Sequence, residues 1–193
     1  MHLSKKAEYA LRALIHLGIA AELGRPSVPG AELAEMNRLP FKYVERILQE
    51  LRAAGVVETR RGKLGGYALS ADAASRRIGD LVRLIDGRLA PIGCASEAAY
   101  QRCTCPDEDH CGLRMLMIDV RNAIANILDR YNLGQVVEVT LRKMRRDGVT
   151  PPFAAVAGAG IGGDLKRKAD PADGFLAGLS EIAYVGSQDT DAP

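Results

Sequence analysis

The amino-acid sequence predicts a mainly α-helical fold with one β-hairpin, and three observations support this prediction. Apolar residues recur at spacings of three and four in three segments between residues 4 and 55. Two short β-like runs then flank a glycine-rich turn, and a long segment with heptad spacing begins near residue 112. Helix, helix, helix, hairpin is the order of a winged helix, whose second and third helices form a helix-turn-helix unit. We therefore predict a winged helix-turn-helix domain with a two-stranded wing, plus a long dimerisation helix.

Composition agrees with a helical core. Of the 193 residues 47% are hydrophobic, Trp is absent and only 3 Phe occur, so the core must consist of Leu, Ile, Val and Ala. Charged and polar residues interrupt the first apolar run, which therefore does not resemble a secretory signal. No stretch reaches the ~18 apolar residues that a membrane span needs. We expect a cytoplasmic protein that does not bind a membrane.

The three N-terminal helices have recognisable boundaries. The first covers residues 4–21, with Ser4 as a plausible N-cap. A loop rich in Gly and Pro leads to a short second helix near residues 30–36. The third begins at Pro40 or Phe41 and ends at Gly55, because Pro favours the first position of a helix and Gly the position just past its end.

The hairpin is predicted from the runs "VVET" and "YALS", which are separated by "RRGKLGG". This turn contains three glycines and three cations. A structural turn has no need of three cations that repel one another, so the turn is a candidate contact for a polyanion.

The second half is predicted to begin with a helix at residues 77–87, followed by a cysteine-containing loop. A long helix over residues 112–131 carries a heptad seam, formed by Leu113, Met117, Val120, Ile124, Ile127 and Tyr131. The winged-helix unit should already fill its own core, so the seam predicts a partner helix and hence a homodimer. A last helix follows over residues 133–148.

These elements divide the chain into three parts. Residues 1–72 form the winged helix-turn-helix domain, and residues 73–149 hold the linker helix, the cysteine loop and the dimerisation helices. Residues 150–193 are rich in Gly, Ala and Pro and are predicted to be a disordered tail.

Several residues are placed to contact double-stranded DNA. The N-terminal end of the second helix of a helix-turn-helix unit meets base edges in the major groove. Cations there can donate to guanine or phosphate, and a carboxylate can accept from cytosine. An arginine at the wing tip can enter a minor groove, and the start of the first helix can hold phosphates. The candidates are Lys42, Tyr43, Glu45 and Arg46 of the third helix, Arg60, Arg61 and Lys63 of the wing, and Ser4 and Lys5 of the first helix.

All four cysteines lie between Cys94 and Cys111, with the spacing C-x8-C-x-C-x5-C. Structural disulfides are rare in the cytosol, so this clustering indicates metal or redox chemistry. The paired knuckles of zinc sites and the C-x-x-C motif of thiol oxidoreductases are both absent from the sequence. Acidic residues outnumber basic ones in the loop, which disfavours free thiolates. A bound metal deprotonates its ligands regardless, so the loop suits metal ligation better than thiol catalysis.

Three parts of the sequence together resemble the Rrf2 family of bacterial regulators. They are "MHLSKKAEYALRALIHL", "YVERILQELRAAGVVETRRGKLGGYALS" and the cysteines that precede a long helix, and the resemblance covers roughly residues 1–140. It implies a dimeric winged-helix transcription factor that binds a palindromic operator, with long helices that cross between subunits. In many members three cysteines hold an iron–sulfur cluster. The resemblance also implies that Lys42, Tyr43 and Glu45 read bases and that Arg61 enters the minor groove.

The resemblance also suggests which thiols bind iron. Cys94 and Cys111 bracket the loop, and Cys105, followed by Pro106, matches the second-last ligand of family members. In an extended segment Cys103 and Cys105 point to opposite sides, so both are not expected on one iron. We predict ligation by Cys94, Cys105 and Cys111, with Cys103 as the alternative to Cys105.

The sequence leaves the fourth ligand of the cluster undetermined. Some family members use a histidine three residues after the last cysteine, where this chain has Arg114. Others use an acidic residue near the start of the first helix of the partner subunit, and the matching residue here is Glu8. His110 is a further possibility. The pattern does not choose between a two-iron (2Fe–2S) and a four-iron (4Fe–4S) cluster.

The predicted function is a DNA-binding regulator, by default a repressor, whose operator binding is controlled by an iron–sulfur cluster that senses redox, nitric oxide or iron status. The alternative is a regulator of the same fold that senses by cysteine oxidation without a cluster. An enzyme is not expected, since the sequence has no nucleotide-binding loop, no Ser/His/Asp constellation and only 3 His.

Overall fold

The computed structural model describes residues 3–62, 65–87, 89–153 and 174–175, and its elements follow the predicted order. The helices are α1 (Lys5–Glu22), α2 (Gly30–Asn37), α3 (Phe41–Ala53), α4 (Ile78–Asp86), α5 (Gly112–Arg130) and α6 (Leu133–Arg146). The strands are β1 (Val57–Arg60) and β2 (Gly66–Leu69), and short 3₁₀ turns lie at Ala73–Ser75 and Gly93–Ala95. The predicted fold class is therefore confirmed.

Helix α1 is the central element of the core. Ser4 caps it, because its hydroxyl accepts a hydrogen bond from the Ala7 amide at 3.0 Å. Its buried face includes Leu14 and Leu17, which belong to the same apolar cluster as residues of α2, α3 and the wing. The helix-turn-helix unit is thus built directly against α1.

The turn between α2 and α3 is tied to α1 by polar contacts. Arg38 ends α2 in the left-handed conformation, with φ of 54°. The preceding Asn37 is buried, donates to the Leu33 carbonyl at 2.7 Å and contacts Nδ1 of His16 at 3.1 Å. Arg12 donates to the Asn37 carbonyl at 2.8 Å. These bonds set the direction in which α3 leaves the turn.

The wing is an antiparallel pair in which Val57 lies opposite Leu69 and Arg60 lies opposite Gly66. Val28 extends this sheet through two hydrogen bonds with Tyr67, of 2.9 Å and 2.8 Å. A side chain at Gly66 would place its Cβ 2.4 Å from the Val28 carbonyl oxygen, so this close approach requires glycine. The loop before α2 therefore fixes the base of the wing.

The core is shared between the two predicted halves of the chain. Leu81 of α4 and Leu133, Val137 and Leu141 of α6 belong to the same cluster as Leu14 of α1. The expectation that the winged-helix unit fills its own core is wrong, because α4 and α6 close the side of α1 that α2 and α3 leave open. Gly18 allows this contact: its Cβ would lie 2.5 Å from Val137 Cγ2.

Helix α5 lies outside this core, and none of its residues is buried. One of its attachments is to α4, where Arg83 binds Asp129 through two hydrogen bonds of 2.8 Å and 2.6 Å. Apolar side chains of α5 are left exposed, namely Leu113, Met115, Leu116 and Ile127. In the part of the chain that the structure describes, no helix is long and apolar enough to cross a membrane.

Most of the tail predicted at residues 150–193 lies outside the described residues. The described part includes Phe153, whose ring packs edge-on against His16, with centroids 6.2 Å apart, and contacts the Arg25 guanidinium. Phe175 contacts the Tyr131 ring, with centroids 4.8 Å apart.

We expect Gly18→Val to weaken the packing of α6 on α1. A branched side chain cannot fit beside Val137 without displacing it, and overpacking of this kind costs ~1–3 kcal/mol. Urea unfolding at equal protein concentration should show this loss of unfolding free energy. Ala21→Val, on the exposed side of the same helix, controls for helix propensity, and an equal effect of both changes would contradict the packing role.

The ion pair between α4 and α5 should make stability depend on pH. The hydrogen bonds from Arg83 lower the pKa of Asp129. A carboxylate whose pKa is lowered by folding contributes stability that is present above its unfolded pKa, about 4, and that is lost as the pH falls through the folded value. Asp129→Asn should therefore cost ~1–3 kcal/mol at pH 7 and progressively less below about pH 4.

The measurement is urea unfolding of both proteins between pH 7 and pH 3.5. Asp119→Asn, which neutralises an exposed acid on the same helix, should behave as wild type. A difference between wild type and Asp129→Asn that stays constant over this range would exclude the proposed linkage.

Candidate DNA interface and metal centre

Helix α3 presents two long cations to solvent. The side chains of Lys42 and Arg46 are 89% and 79% exposed. Each lies near a carboxylate of the same helix: Lys42 is 3.4 Å from Glu45, and Arg46 is 3.5 Å from Glu50. Exposed pairs of this kind contribute little stability and are readily exchanged for other partners. Both cations can therefore turn towards a polyanion at low cost.

The N-terminal ends of α1 and α3 lie on one surface. The Tyr9 ring contacts the Tyr43 ring edge-on at 5.9 Å, and the Lys5 ammonium lies 5.8 Å from the Tyr9 ring centre. The side chains of Lys5, Tyr9 and Tyr43 thus form a continuous strip on this surface, and Lys5 and Tyr43 are predicted DNA contacts. The predicted DNA contacts of the first and third helices are close together in space.

Ser4 is more heavily engaged than a free phosphate contact would be. Its hydroxyl caps α1 and also donates to the Asp86 carboxylate, and its amide donates to the same carboxylate at 2.9 Å. Asp86, at the end of α4, thereby occupies the anion position at the N-terminus of α1. A phosphate at Ser4 would have to share or replace this contact.

The wing brings its arginines to the end of the hairpin. Arg60 pairs with Glu58 at 3.1 Å. Arg61 is exposed and forms no ion pair with any residue that the structure describes. Lys63, the third predicted wing cation, lies outside the described residues.

Two arginines of α5 hold the turn that contains Cys94. Arg114 donates to the Cys94 carbonyl at 3.1 Å, and Arg121 donates to the Ala95 carbonyl at 2.9 Å. Cys94 is 7% exposed, so its thiol lies under this turn rather than on the surface. The first cysteine of the loop is thus fixed to the helix that begins directly after the last one, Cys111.

The four thiols are free, and contacts join them in a row. Cys103 is close enough to Cys94 to affect its pKa, and Cys103 and Cys111 are both close enough to Cys105 to affect its pKa. The Cys105 amide donates to Cys103 Sγ at 3.4 Å. The backbone therefore turns around the Cys103 thiol instead of running extended, and the geometric reason for separating Cys103 from Cys105 does not hold. The structure leaves both as candidate ligands.

These surroundings favour protonated thiols in the metal-free chain. Burial raises the pKa of Cys94, with further contributions from Cys103 and Glu108. The adjacent Cys103 raises the pKa of Cys105 to about 11, because a second thiolate beside the first is unfavourable. The pKa values of Cys94 and Cys105 are thus raised in the predicted direction, but burial and neighbouring sulfur rather than the loop's acidic residues are the main causes.

Glu108 lies at the centre of the loop and was not among the predicted site residues. Its Oε1 accepts from the Tyr100 hydroxyl at 2.8 Å and pairs with Arg114 Nε at 3.4 Å, while its Oε2 accepts from the Cys103 thiol at 3.5 Å. The Tyr100 hydrogen bond lowers the pKa of Glu108. Only the three-dimensional arrangement distinguishes it from Asp107 and Asp109.

The other candidate ligands lie apart from the thiols of the same chain or are otherwise engaged. Glu8 pairs with Lys5 at 2.7 Å and lies 3.9 Å from Arg12. His110 is exposed and bonded to Asp107 at 2.8 Å. Arg114, at the position where some relatives have a ligating histidine, instead connects Glu108 with the Cys94 turn.

The loop fits an iron–sulfur cluster by its donors and their proximity. Thiolates are the usual ligands of such clusters, and the four thiols here are neighbours within one loop. Among the described residues, no three His, Cys, Asp or Glu side chains form a group that could hold a metal ion in the present arrangement. A cluster held by these thiols would therefore require them to draw closer together.

Known proteins resemble this chain over the same region. An Rrf2-like helix-turn-helix transcriptional regulator of Rhodobacter capsulatus is 38% identical over 133 residues, which cover 68% of this chain and 89% of that protein. The transcriptional regulator IscR of Escherichia coli is 28% identical over 71% of this chain and 80% of its own length. Both relatives are transcriptional regulators rather than enzymes.

Solved structures of CymR regulators also resemble this chain. CymR, the global cysteine regulator of Bacillus subtilis, has a TM-score of 0.58 and 26% identity, and the match covers 72% of this chain and 97% of CymR. The oxidised form of Staphylococcus aureus CymR has a TM-score of 0.57 and 28% identity over the same shares. The Rrf2 family model, described as an iron-dependent transcriptional regulator, matches residues 3–139. This chain belongs to the Rrf2 family of transcriptional regulators.

Proposed function

We propose that this regulator binds a palindromic DNA operator as a homodimer and that an iron–sulfur cluster held by the loop of residues 94–111 controls this binding. The observation that carries the proposal is the group of four neighbouring thiols in one loop, whose first turn two arginines attach to α5. The description of the family as iron-dependent supports the same conclusion. Repression is the expected mode of action.

The ligands proposed are Cys94, Cys111 and either Cys105 or Cys103. Glu8 of a partner subunit remains a possible fourth ligand. When bound, the cluster supplies positive charge that stabilises thiolates, and its state responds to oxidants, nitric oxide or iron supply. The raised pKa values of Cys94 and Cys105 agree with thiols that ionise only together with metal binding.

The proposed dimer is formed through α5. This helix has no buried residue in the single chain, and its exposed Leu113, Leu116 and Ile127 form an apolar surface that needs a cover. A second copy of the same heptad seam is a suitable partner. Because the loop is bonded to α5, ordering of the loop would influence how two α5 helices pack against each other. This packing would in turn set the separation of the two α3 helices. Two half-sites one turn apart on B-DNA require a separation of about 34 Å.

The proposed DNA contacts lie on the surface formed by the N-terminal ends of α1 and α3 and on the wing. Lys42, Tyr43, Glu45 and Arg46 would read or flank bases in the major groove, and Lys5 would bind phosphate. Arg61 would enter the minor groove, and Arg60 and Lys63 are the other contacts proposed for the wing. Ser4 would contribute its amide to the same phosphate if Asp86 yields the position.

A second candidate function is sensing by thiol oxidation without a cluster. The free thiols of Cys103 and Cys105 are in contact, and the structural likeness includes the oxidised form of a CymR protein. The high pKa of Cys105 weighs against it, since the thiolate is the reactive form.

Iron and sulfide analysis of protein prepared without oxygen tests the proposal. We expect a brown wild-type protein, and we expect Cys94→Ala and Cys111→Ala to lose the visible absorbance. Cys103→Ala and Cys105→Ala should differ, because only one of them removes a ligand. Thr104→Ala, between these two cysteines, is the loop control and should retain the chromophore.

If the protein prepared without oxygen is colourless and metal-free and still binds its operator, the cluster proposal is overturned. Sensing by thiol oxidation is then the remaining candidate. A disulfide formed on exposure to mild oxidant, together with altered DNA affinity, would then support that alternative.

Arg61→Ala should weaken operator binding while the absorbance of the cluster stays unchanged. Loss of an arginine contact in a groove costs ~1–3 kcal/mol, or roughly 5–150-fold in Kd. Binding is measured on an operator selected from random DNA by the wild-type protein, at one fixed salt concentration. Arg52→Ala removes the same charge from the far end of α3 and should change Kd much less; similar values for wild type and Arg61→Ala would remove the wing from the interface.

A further inference from the structure

Glu108 differs from the other acidic residues of the cysteine loop in its surroundings. Its side chain is only 17% exposed, whereas the Asp107 side chain is 59% exposed and Asp109 is also exposed. Within the described part of the loop, it is the carboxylate that contacts a thiol, with Oε2 3.5 Å from Cys103 Sγ. Its partners stabilise the charge of this partly buried carboxylate and fix its position beside the sulfur.

The two oxygens of Glu108 have separate partners. Oε1 is held by the Tyr100 hydroxyl at 2.8 Å and by Arg114 at 3.4 Å, and Arg114 is itself bonded to the Cys94 carbonyl. Oε2 is the oxygen that the Cys103 thiol contacts, and the Cys103 backbone also interacts with the carboxylate. The first oxygen thus orients the group, and the second lies against a thiol.

The contact of 3.5 Å between Oε2 and Cys103 Sγ places a carboxylate oxygen directly beside a candidate thiolate ligand. Oxygen is a harder and weaker ligand than thiolate for iron in a cluster. One carboxylate among thiolates therefore gives a site that releases or exchanges its metal more readily.

We propose that Glu108 supplies the non-thiolate ligand of the cluster from within the same chain, through Oε2, while Tyr100 and Arg114 orient its carboxylate. This inference rests on the proposed iron–sulfur function and adds the fourth ligand to it. Glu8 of the partner subunit is then not needed, and Arg114 occupies the place of a ligating histidine because it holds a ligating glutamate instead.

The test uses the full-length protein prepared without oxygen, with three variants. Glu108→Gln removes the negative oxygen with little change in shape. Tyr100→Phe removes the hydrogen bond to Glu108 but leaves the carboxylate, and Asp109→Asn neutralises the exposed neighbour. Iron and sulfide content, the Mössbauer spectrum and the rate of iron loss to a chelator are measured, and circular dichroism verifies folding.

We expect wild type to show one iron site with oxygen coordination that is missing or altered in Glu108→Gln, and we expect that variant to lose iron about 10-fold faster or more. Asp109→Asn should match wild type. Tyr100→Phe should keep the oxygen-coordinated site, because orientation by Arg114 remains.

Three results would overturn the assignment. Iron-loaded Glu108→Gln with an unchanged spectrum and rate of iron loss excludes it while the cluster function stands. Equal changes in Tyr100→Phe and Glu108→Gln show that Glu108 acts only by holding the loop. Wild-type protein without iron and sulfide overturns the proposed function and this ligand together.

Discussion

The hydrogen bonds from Arg114 and Arg121 to the carbonyls of Cys94 and Ala95 are the contacts on which the cysteine loop depends. The loop lacks regular secondary structure between residues 96 and 111. It returns to its starting point because two cations on the first three turns of α5 hold the backbone at its beginning. Guanidinium groups suit this role since they stay charged and can serve several acceptors at once. Without them, the sixteen residues between the first and last cysteines would lose their two hydrogen bonds to α5 at the start of the loop.

A continuous series of contacts leads from this loop to the surface proposed for DNA. The loop is bonded to α5, Asp129 of α5 is bonded to Arg83 of α4, and Asp86 at the end of α4 is bonded to Ser4. Helix α1 then contacts the start of α3 through the Tyr9 and Tyr43 rings. A shift of α5 can therefore move the N-terminus of α1 and the reading end of α3 together. These contiguous contacts provide a route by which the cysteine loop can be coupled to the surface proposed for DNA. The strength of this coupling is a free energy that mutations along the route measure.

The sequence predicts the features that depend on interactions between residues close in the chain, and it does not predict those that depend on distant residues. Helices and hairpin were predicted well because apolar periodicity, Ser4 at a cap and Gly55 past a helix end act within a few residues. The partnership of α6 with α1 was missed, since nothing local relates Gly18 to Val137. The arrangement of Cys103 and Cys105 was misjudged because a turn at Thr104 replaced the extended backbone that the argument assumed. Glu108 was overlooked among four similar acids, since only burial and its three partners distinguish it.

The electrostatics of the loop explain why one group of residues can serve as a sensor. Burial and Glu108 raise the pKa of Cys94, and neighbouring sulfur raises the pKa of Cys94 and Cys105, so these two thiols are disfavoured as free thiolates. With a metal centre, the same negative groups become ligands or close neighbours of a positive charge, and their mutual repulsion turns into attraction. The free energy of binding must then include the release of protons from thiols of high pKa, which weakens the holding of the metal at neutral pH. A loop built from these groups would hold the proposed cluster less firmly than ionised thiolates would, and such a site suits a regulator that loses or alters its cluster on a signal.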